Sequence, residues 1–254
     1  MKRLIAALTA AALTAPAAAR AQVPVDICGP VAAGPYAFVR VGDVCTNLSG
    51  LITLNTVTGL FNLTVRQLTV GAGLINTLDV VYDQDPSIDF GVNTSNLLFN
   101  QTSYAFYFGT PIDPGQYRRA ASTGGVNVTR TLQDAAVSQD GGSRFITVYG
   151  SDGDDLIPIG VNIGTGTCSA GALSNTCLYP QPAGGPRSNQ FAPRFFDNLE
   201  VELVYAQDGE ASNADWNGRA EIFATSVTPE PTSLALVAAG GALLVGGARR
   251  RSRR

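Results

Sequence analysis

Two groups of closely spaced carboxylates are the residues of this sequence best suited to chemistry. Glu200 and Glu202 alternate with apolar residues, and paired carboxylates can supply the acid and base of glycoside hydrolysis. Asp152, Asp154 and Asp155 form a short acidic loop, whose oxygens are the ligand type that calcium prefers. The loop matches no known calcium motif, and strand alternation places both glutamates on a solvent face. We therefore predict no catalytic residue, no cofactor and only a weak calcium candidate.

Composition narrows the chemistry further. The chain contains no histidine, which removes the commonest general base and excludes nucleophiles activated by histidine. Residues 22–228 carry nine arginines, no lysine and nineteen acidic side chains, a net charge of −10. Such a segment repels phosphate groups, because nucleic-acid binding requires clustered basic residues. We predict that the protein is not an enzyme and has no nucleic-acid partner.

Four cysteines indicate disulfide bonds if the chain folds outside the cytoplasm. Three pairings are possible, and we predict Cys28 with Cys45 and Cys168 with Cys177, because these pairs close the shortest loops. A metal cluster is disfavoured by the absence of CxxC spacing and of histidine. Residues 160–195 are rich in glycine, proline, serine and asparagine, so we expect a long surface excursion there that the second disulfide would staple.

The elements that must position these residues are short strands. Apolar and polar residues alternate with a period of two in several segments, and this pattern is typical of half-buried strands. Turn clusters at 111–115 and 124–125 are expected to separate neighbouring strands. The sequence predicts one all-β domain over residues 22–228, a β-sandwich or jelly roll. The predicted strands include 61–66, 78–82, 88–92, 104–108, 126–132, 145–149, 199–205 and 219–225.

The N-terminus has the three parts of a secretory signal peptide. Residues 1–3 include two basic side chains, residues 4–19 are apolar, and Ala19 and Ala21 provide a small-x-small cleavage site. We predict a signal helix over residues 1–21 that signal peptidase removes, which leaves Gln22 as the first mature residue. An uncleaved helical anchor is the alternative.

The C-terminus has a rigid break, an apolar run and a basic end. Pro229, Glu230 and Pro231 form an extended joint, since two prolines prevent a helix or strand from passing through. Residues 233–248 are uncharged and mostly apolar, and five arginines lie among residues 249–254. We predict an apolar helix that anchors the chain transiently in the inner membrane, with its arginines on the cytoplasmic side.

This order of parts resembles the PEP-CTERM sorting signal of Gram-negative bacteria, over residues 229–254. The resemblance implies that an exosortase-type membrane enzyme processes the chain near the Pro-Glu-Pro tripeptide. It also implies a mature protein at the cell surface, or in an extracellular matrix of exopolysaccharide or biofilm. A permanent single-span anchor is the alternative. Residues 85–112 and 203–223 are similar to the domain of many PEP-CTERM proteins, which implies a β-sandwich without an assigned activity.

The sequence therefore predicts an exported structural protein of the surface or matrix. A carbohydrate-binding or adhesive module is the second hypothesis, and it requires exposed aromatic side chains on one sheet face or loop. Tyr104, Tyr107, Tyr117 and Trp216 are the aromatic candidates, although we expect most of them to pack in the core. A hydrolase is the third and weakest hypothesis.

Overall fold

The computed structural model of the chain describes residues 28–29, 34–131, 134–141, 143–152, 155–171, 173–179 and 187–224. The predicted signal peptide and its cleavage site, and the PEP-CTERM segment, lie outside these residues. The chain divides into two compact units, Met1–Phe223 and Ala224–Arg254, and all but the last of the described residues belong to the first. Within the described residues, no helix combines the length and apolar character needed to cross a membrane.

The described residues form fourteen strands and one short 3₁₀ turn, Ser49–Leu51. The strands are β1 (Tyr36–Val41), β2 (Val44–Asn47), β3 (Thr53–Leu54), β4 (Phe61–Val70), β5 (Gly73–Asp83), β6 (Ser87–Asn96), β7 (Thr102–Thr129), β8 (Ala135–Ser138), β9 (Ile146–Asp152), β10 (Asp155–Pro158), β11 (Thr167–Ala170), β12 (Ser174–Tyr179), β13 (Arg187–Asp208) and β14 (Asn213–Ala224). The all-β prediction is confirmed.

The strands form one large antiparallel sheet with the main order β10-β9-β13-β7-β14-β6-β5-β4-β3. Strands β1 and β12 pair with β7 beside this path, β2 pairs with β1, and β8 and β11 extend from β13. Apolar residues alternate along β5 and β6, so each strand has one buried face.

Aromatic contacts between strands that are not neighbours show that the sheet folds over on itself. The ring of Trp216 in β14 lies 5.2 Å from that of Tyr205 in β13 and 5.1 Å from that of Phe145. Phe90 in β6 lies 5.5 Å from Phe108 in β7. Because β7 separates β13 from β14 in the strand order, these contacts form across a core. The arrangement is consistent with a β-sandwich, and its jelly-roll form stays a prediction.

Strand β7 is 28 residues long, and this contradicts the predicted turns at 111–115 and 124–125. Its first part pairs with β1 and its last part with β12, so the chain changes partners without leaving extended structure. Pro114 is tolerated because the ladder with β13 shifts register between Phe196, which pairs with Gly115, and Asn198, which pairs with Pro111. A bulge there needs no N–H from Pro114.

Short or interrupted strands stand at the ends of the main strand order. Strand β3 has only two residues, and β10 has four and ends at Pro158. Strand β4, next to β3, contains Gln67 with a left-handed φ of 53°. The ladder between β4 and β5 passes directly from the Arg66–Thr77 pair to the Leu68–Ile75 pair, which breaks the regular edge.

A chain of buried polar side chains joins β6, β13 and the turn before β14. The Tyr205 hydroxyl lies 2.7 Å from Thr94 Oγ1, which donates to Gln207 Oε1 at 2.8 Å. Gln207 Nε2 donates to the carbonyl of Ser212 at 2.8 Å, and Asn96 Nδ2 donates to the carbonyl of Gln207 at 3.2 Å. Since each of these groups has a partner, the network fixes the mutual register of the strands without a large burial penalty.

Both predicted disulfides are confirmed. Cys28 is bonded to Cys45 in β2, and Cys168 in β11 is bonded to Cys177 in β12. The expected surface excursion at 160–195 is wrong in part, because this region contributes β11, β12 and the start of β13. The Cys168 side chain is fully buried, so this bond also belongs to the core.

Removal of the second disulfide should destabilise the fold measurably. The double variant Cys168→Ser/Cys177→Ser frees a short loop, and we expect a loss of about 2–3 kcal/mol in the free energy of unfolding. Urea denaturation of the two proteins without reductant measures the difference. The wild type in reductant loses Cys28–Cys45 as well and should be at least as unstable as the double variant. Equal stabilities of the wild type and the double variant without reductant would contradict a structural role for this bond.

Candidate functional site

The first candidate site is a shallow groove across the outer face of β5, β6, β14 and β7, with a volume of about 430 Å³. It lies where Asp79, Gly91 and Asn217 stand side by side on three adjacent strands. Val81, Asp89 and Arg219 form the next row. Its lining residues are Asp79, Val81, Asp89, Phe90, Gly91, Thr123, Asn217, Gly218 and Arg219.

The groove exists because a glycine occupies its centre. A Cβ at Gly91 would meet only the Trp216 carbonyl oxygen, at 4.0 Å, so the space above this residue is open. Gly218 beside it has a different role, since a Cβ there would overlap the inward-facing ring of Phe90. One glycine therefore leaves room for a ligand, and the other leaves room for the core.

Ion pairs occupy the charged groups around the groove. Arg66 Nη2 contacts Asp79 Oδ1 at 2.9 Å. Arg219 contacts Asp89 Oδ2 at 2.9 Å and Glu221 Oε2 at 3.0 Å. Partial burial raises the pKa of Asp89 above its usual value, and Arg219 opposes this shift. These pairs orient the side chains, although exposed pairs contribute little to stability.

Two polar side chains of the groove remain available. The exposed Asn217 amide and the half-buried Thr123 hydroxyl make no hydrogen bond to another described residue. Each can both donate and accept a hydrogen bond. The groove can therefore bind a ligand that has both donors and acceptors.

The second candidate site is a tyrosine–glutamate cluster, made of Tyr36, Tyr107, Tyr149, Glu200 and Glu202. It lies on the face of β1, β7, β13 and β9 opposite to the core. The Tyr149 hydroxyl donates to Glu202 Oε2 at 3.1 Å. Burial raises the pKa of Tyr107 to about 12, and Glu202 adds to this increase.

Glu200 departs from the prediction that both glutamates face water. It is on the predicted side of β13, but only 5% of the residue is exposed. Burial raises its pKa to about 7, an increase that the Tyr36 hydroxyl partly offsets and that Asp197 and Glu202 reinforce. Neither Glu200 Oε1 nor the Tyr36 hydroxyl makes a hydrogen bond of good geometry to a described residue, so Tyr36 offsets only part of the effect of burial on the Glu200 pKa.

A glycine brings Tyr36 and Glu200 together. Gly109 in β7 pairs with Tyr36 on one side and with Glu200 on the other. A side chain at Gly109 would overlap the Tyr36 ring, so the ring lies across this position. Alternation along the strand predicts which face Glu200 occupies, but not that this ring approaches it.

The remaining predicted site residues are not brought together. Tyr104, Tyr117 and Trp216 are at most 3% exposed, so the core packing expected for most of the aromatic candidates is confirmed and these three cannot form an exposed sugar platform. They fill the core because they alternate inward with other apolar side chains. Tyr107 is half-buried on the outer face.

The acidic loop is described only in part. Asp152 is exposed and its backbone pairs with that of Asp155, while Asp154 lies outside the described residues. Among the residues that the structure describes, no group of three or more histidine, cysteine or acidic side chains is arranged to hold a metal.

Comparison with known proteins adds little. No family model and no curated protein matches this chain. The chain is similar to a carbohydrate-binding module, TmCBM61, in complex with β-1,4-galactotriose, with 9% identity over 54% of this chain and 71% of that chain and a TM-score of 0.23. It is also similar to infectious bursal disease virus, Gt strain, with 10% identity over 83% of this chain and 64% of that chain and a TM-score of 0.13. Both scores are too low to establish a shared fold.

Glu200 should make stability depend on pH. Its pKa is about 7 in the folded protein, above the ordinary value of 4.5. The buried carboxyl is therefore tolerated fully below about pH 4.5, and stability falls as the pH rises towards and past 7, by about 3 kcal/mol in all. Glu200→Gln should remove this decline, and thermal denaturation from pH 4.5 to 8.5 measures it.

The matched control is Glu202→Gln, two residues along the same strand. It retains Glu200 and should retain most of the decline, although the loss of the Glu202 charge lowers the pKa of Glu200 towards its ordinary value. If the Glu200→Gln variant loses stability between these pH values as steeply as the wild type does, another group is responsible.

Proposed function

We propose that this protein is exported and acts as a structural component of the cell surface or extracellular matrix. The observation that carries the proposal is the pair of disulfides, Cys28–Cys45 and Cys168–Cys177. Such bonds form in oxidising compartments and are rare in the cytosol. The acidic composition of residues 22–228 and the absence of histidine support a soluble, non-catalytic body.

Export and sorting would be directed by the two ends of the chain. Signal peptidase cleaves after Ala21, and an exosortase-type enzyme processes the chain near Pro229, Glu230 and Pro231. Residues 233–248 hold the chain in the inner membrane until then, with the terminal arginines on the cytoplasmic side. The protein is delivered to a matrix that contains exopolysaccharide.

Mass spectrometry of the protein released by its native host tests this sorting. The mature chain should begin at Gln22 and lack the arginines at 249–254. A variant with Pro229→Ala and Pro231→Ala loses the rigid joint and should retain its tail in the membrane fraction. A mature wild-type protein that still ends at Arg254 would contradict processing by a sorting enzyme.

A second candidate function is carbohydrate binding, which the groove beside Gly91 favours. Its volume of about 430 Å³ falls within the usual range for small-ligand sites. Its polar lining suits hydroxyl-rich ligands, since amide and hydroxyl groups both donate and accept hydrogen bonds. An exopolysaccharide of the surrounding matrix is the corresponding partner.

Affinity electrophoresis of the secreted protein in gels that contain the host exopolysaccharide tests this second function. The native protein should migrate more slowly than it does in a gel without polysaccharide. The reduced and denatured protein is the control and should show no such retardation. Equal mobility of the native protein in both gels would rule out carbohydrate binding under these conditions.

A further inference from the structure

We propose that the groove between Asp79 and Arg219 binds an uncharged saccharide and discriminates against anionic ones. The inference rests on the proposed carbohydrate-binding function, and it adds the ligand class and the residues that select it. Charge, free hydrogen-bonding groups and the shape of the groove each support it.

The charges of the groove disfavour an anion. Two arginines, Arg66 and Arg219, face three carboxylates, those of Asp79, Asp89 and Glu221, which leaves a net charge of −1. Both guanidinium groups already contact a carboxylate at 2.9 Å. An anionic sugar would have to displace one of these partners and would then face the remaining carboxylates.

A cation is disfavoured for a related reason. Each carboxylate of the groove is already paired with an arginine, and Asp79 also accepts a hydrogen bond from Thr64 Oγ1 at 3.1 Å. A cationic ligand would therefore compete with the arginines. A neutral ligand leaves all of these pairs intact and needs only hydrogen bonds.

The hydroxyl groups of a sugar suit the two polar side chains of the groove that have no partner in the described part of the chain. Asn217 stands beside Gly91 on the neighbouring strand, and Thr123 lines the same groove. Their side chains lack partners among the described residues, so a sugar hydroxyl can donate to one and accept from the other. Val81 provides an apolar wall beside Asp89 for the C–H groups of a sugar ring.

The open space above Gly91 gives a selective test. A Cβ there meets only the Trp216 carbonyl oxygen, at 4.0 Å, and Val is favoured in strands. Gly91→Val should therefore fill the groove and leave the fold unchanged. Gly171→Val is the matched control, because a Cβ at Gly171 meets nothing within 4 Å and this residue lies outside the groove.

Isothermal titration calorimetry of the secreted protein compares three ligand classes. The probes are neutral β-glucan, mannan and galactan, anionic polygalacturonate and cationic chitosan. The wild type should bind at least one neutral probe, with weaker binding to the charged ones. Gly91→Val should weaken that binding at least tenfold, and Asn217→Ala by about two- to tenfold, the usual effect of one lost hydrogen bond.

Melting temperatures of all variants should match that of the wild type, and Gly171→Val should bind like it. If Gly91→Val unfolds the protein, Asn217→Ala alone decides the outcome. Neutral binding that neither groove variant alters would place the site elsewhere and overturn this inference, but not carbohydrate binding. Preference for polygalacturonate or chitosan would overturn the predicted selectivity. If the protein binds neither any of the probes nor the host exopolysaccharide, both this inference and the proposed carbohydrate binding are overturned.

Discussion

The pairing of β7 with four other strands is the constraint on which the rest of the structure depends. Along its 28 residues it bonds with β1, β13, β14 and β12. Its first part carries Tyr107 and Gly109 of one candidate site, and its later part carries Thr123 of the other. Both sites are therefore held by a single extended segment. Its pairing with β13 joins residues far apart in sequence, so this ladder forms only after a large loop has closed.

The two outer faces differ in how far their charged side chains are buried and in whether those side chains have partners. On the groove face, charged side chains are exposed and paired, so they cost little and keep a fixed orientation. In the tyrosine–glutamate cluster, Glu200 is buried and one of its oxygens lacks a partner among the described residues. A buried unsatisfied carboxyl is destabilising when charged. The second face therefore has a protonation-dependent weakness, whereas the buried network around Gln207 is fully paired.

Local periodicity predicted the strands well where alternation was clear. Strands β4, β6 and β13 contain the segments expected from it, because inward and outward residues follow the pleat. The proline-containing segment of β7 was misread as a turn, since the bulge that accommodates Pro114 depends on a register shift in β13. Sequence alternation did not predict the groove either, because the groove depends on which strands are neighbours. Asp89 and Arg219 are 130 residues apart, and only the strand order brings them together.

The two ends of the main strand order limit edge-to-edge pairing with a neighbouring copy of this protein. A long, flat edge strand offers free N–H and C=O groups on which a neighbouring chain can polymerise. Here two-residue β3 and the proline-terminated β10 offer few such groups, and the kink at Gln67 interrupts the exposed part of β4. At both ends of this strand order, a neighbouring copy therefore finds few backbone groups with which to extend the sheet.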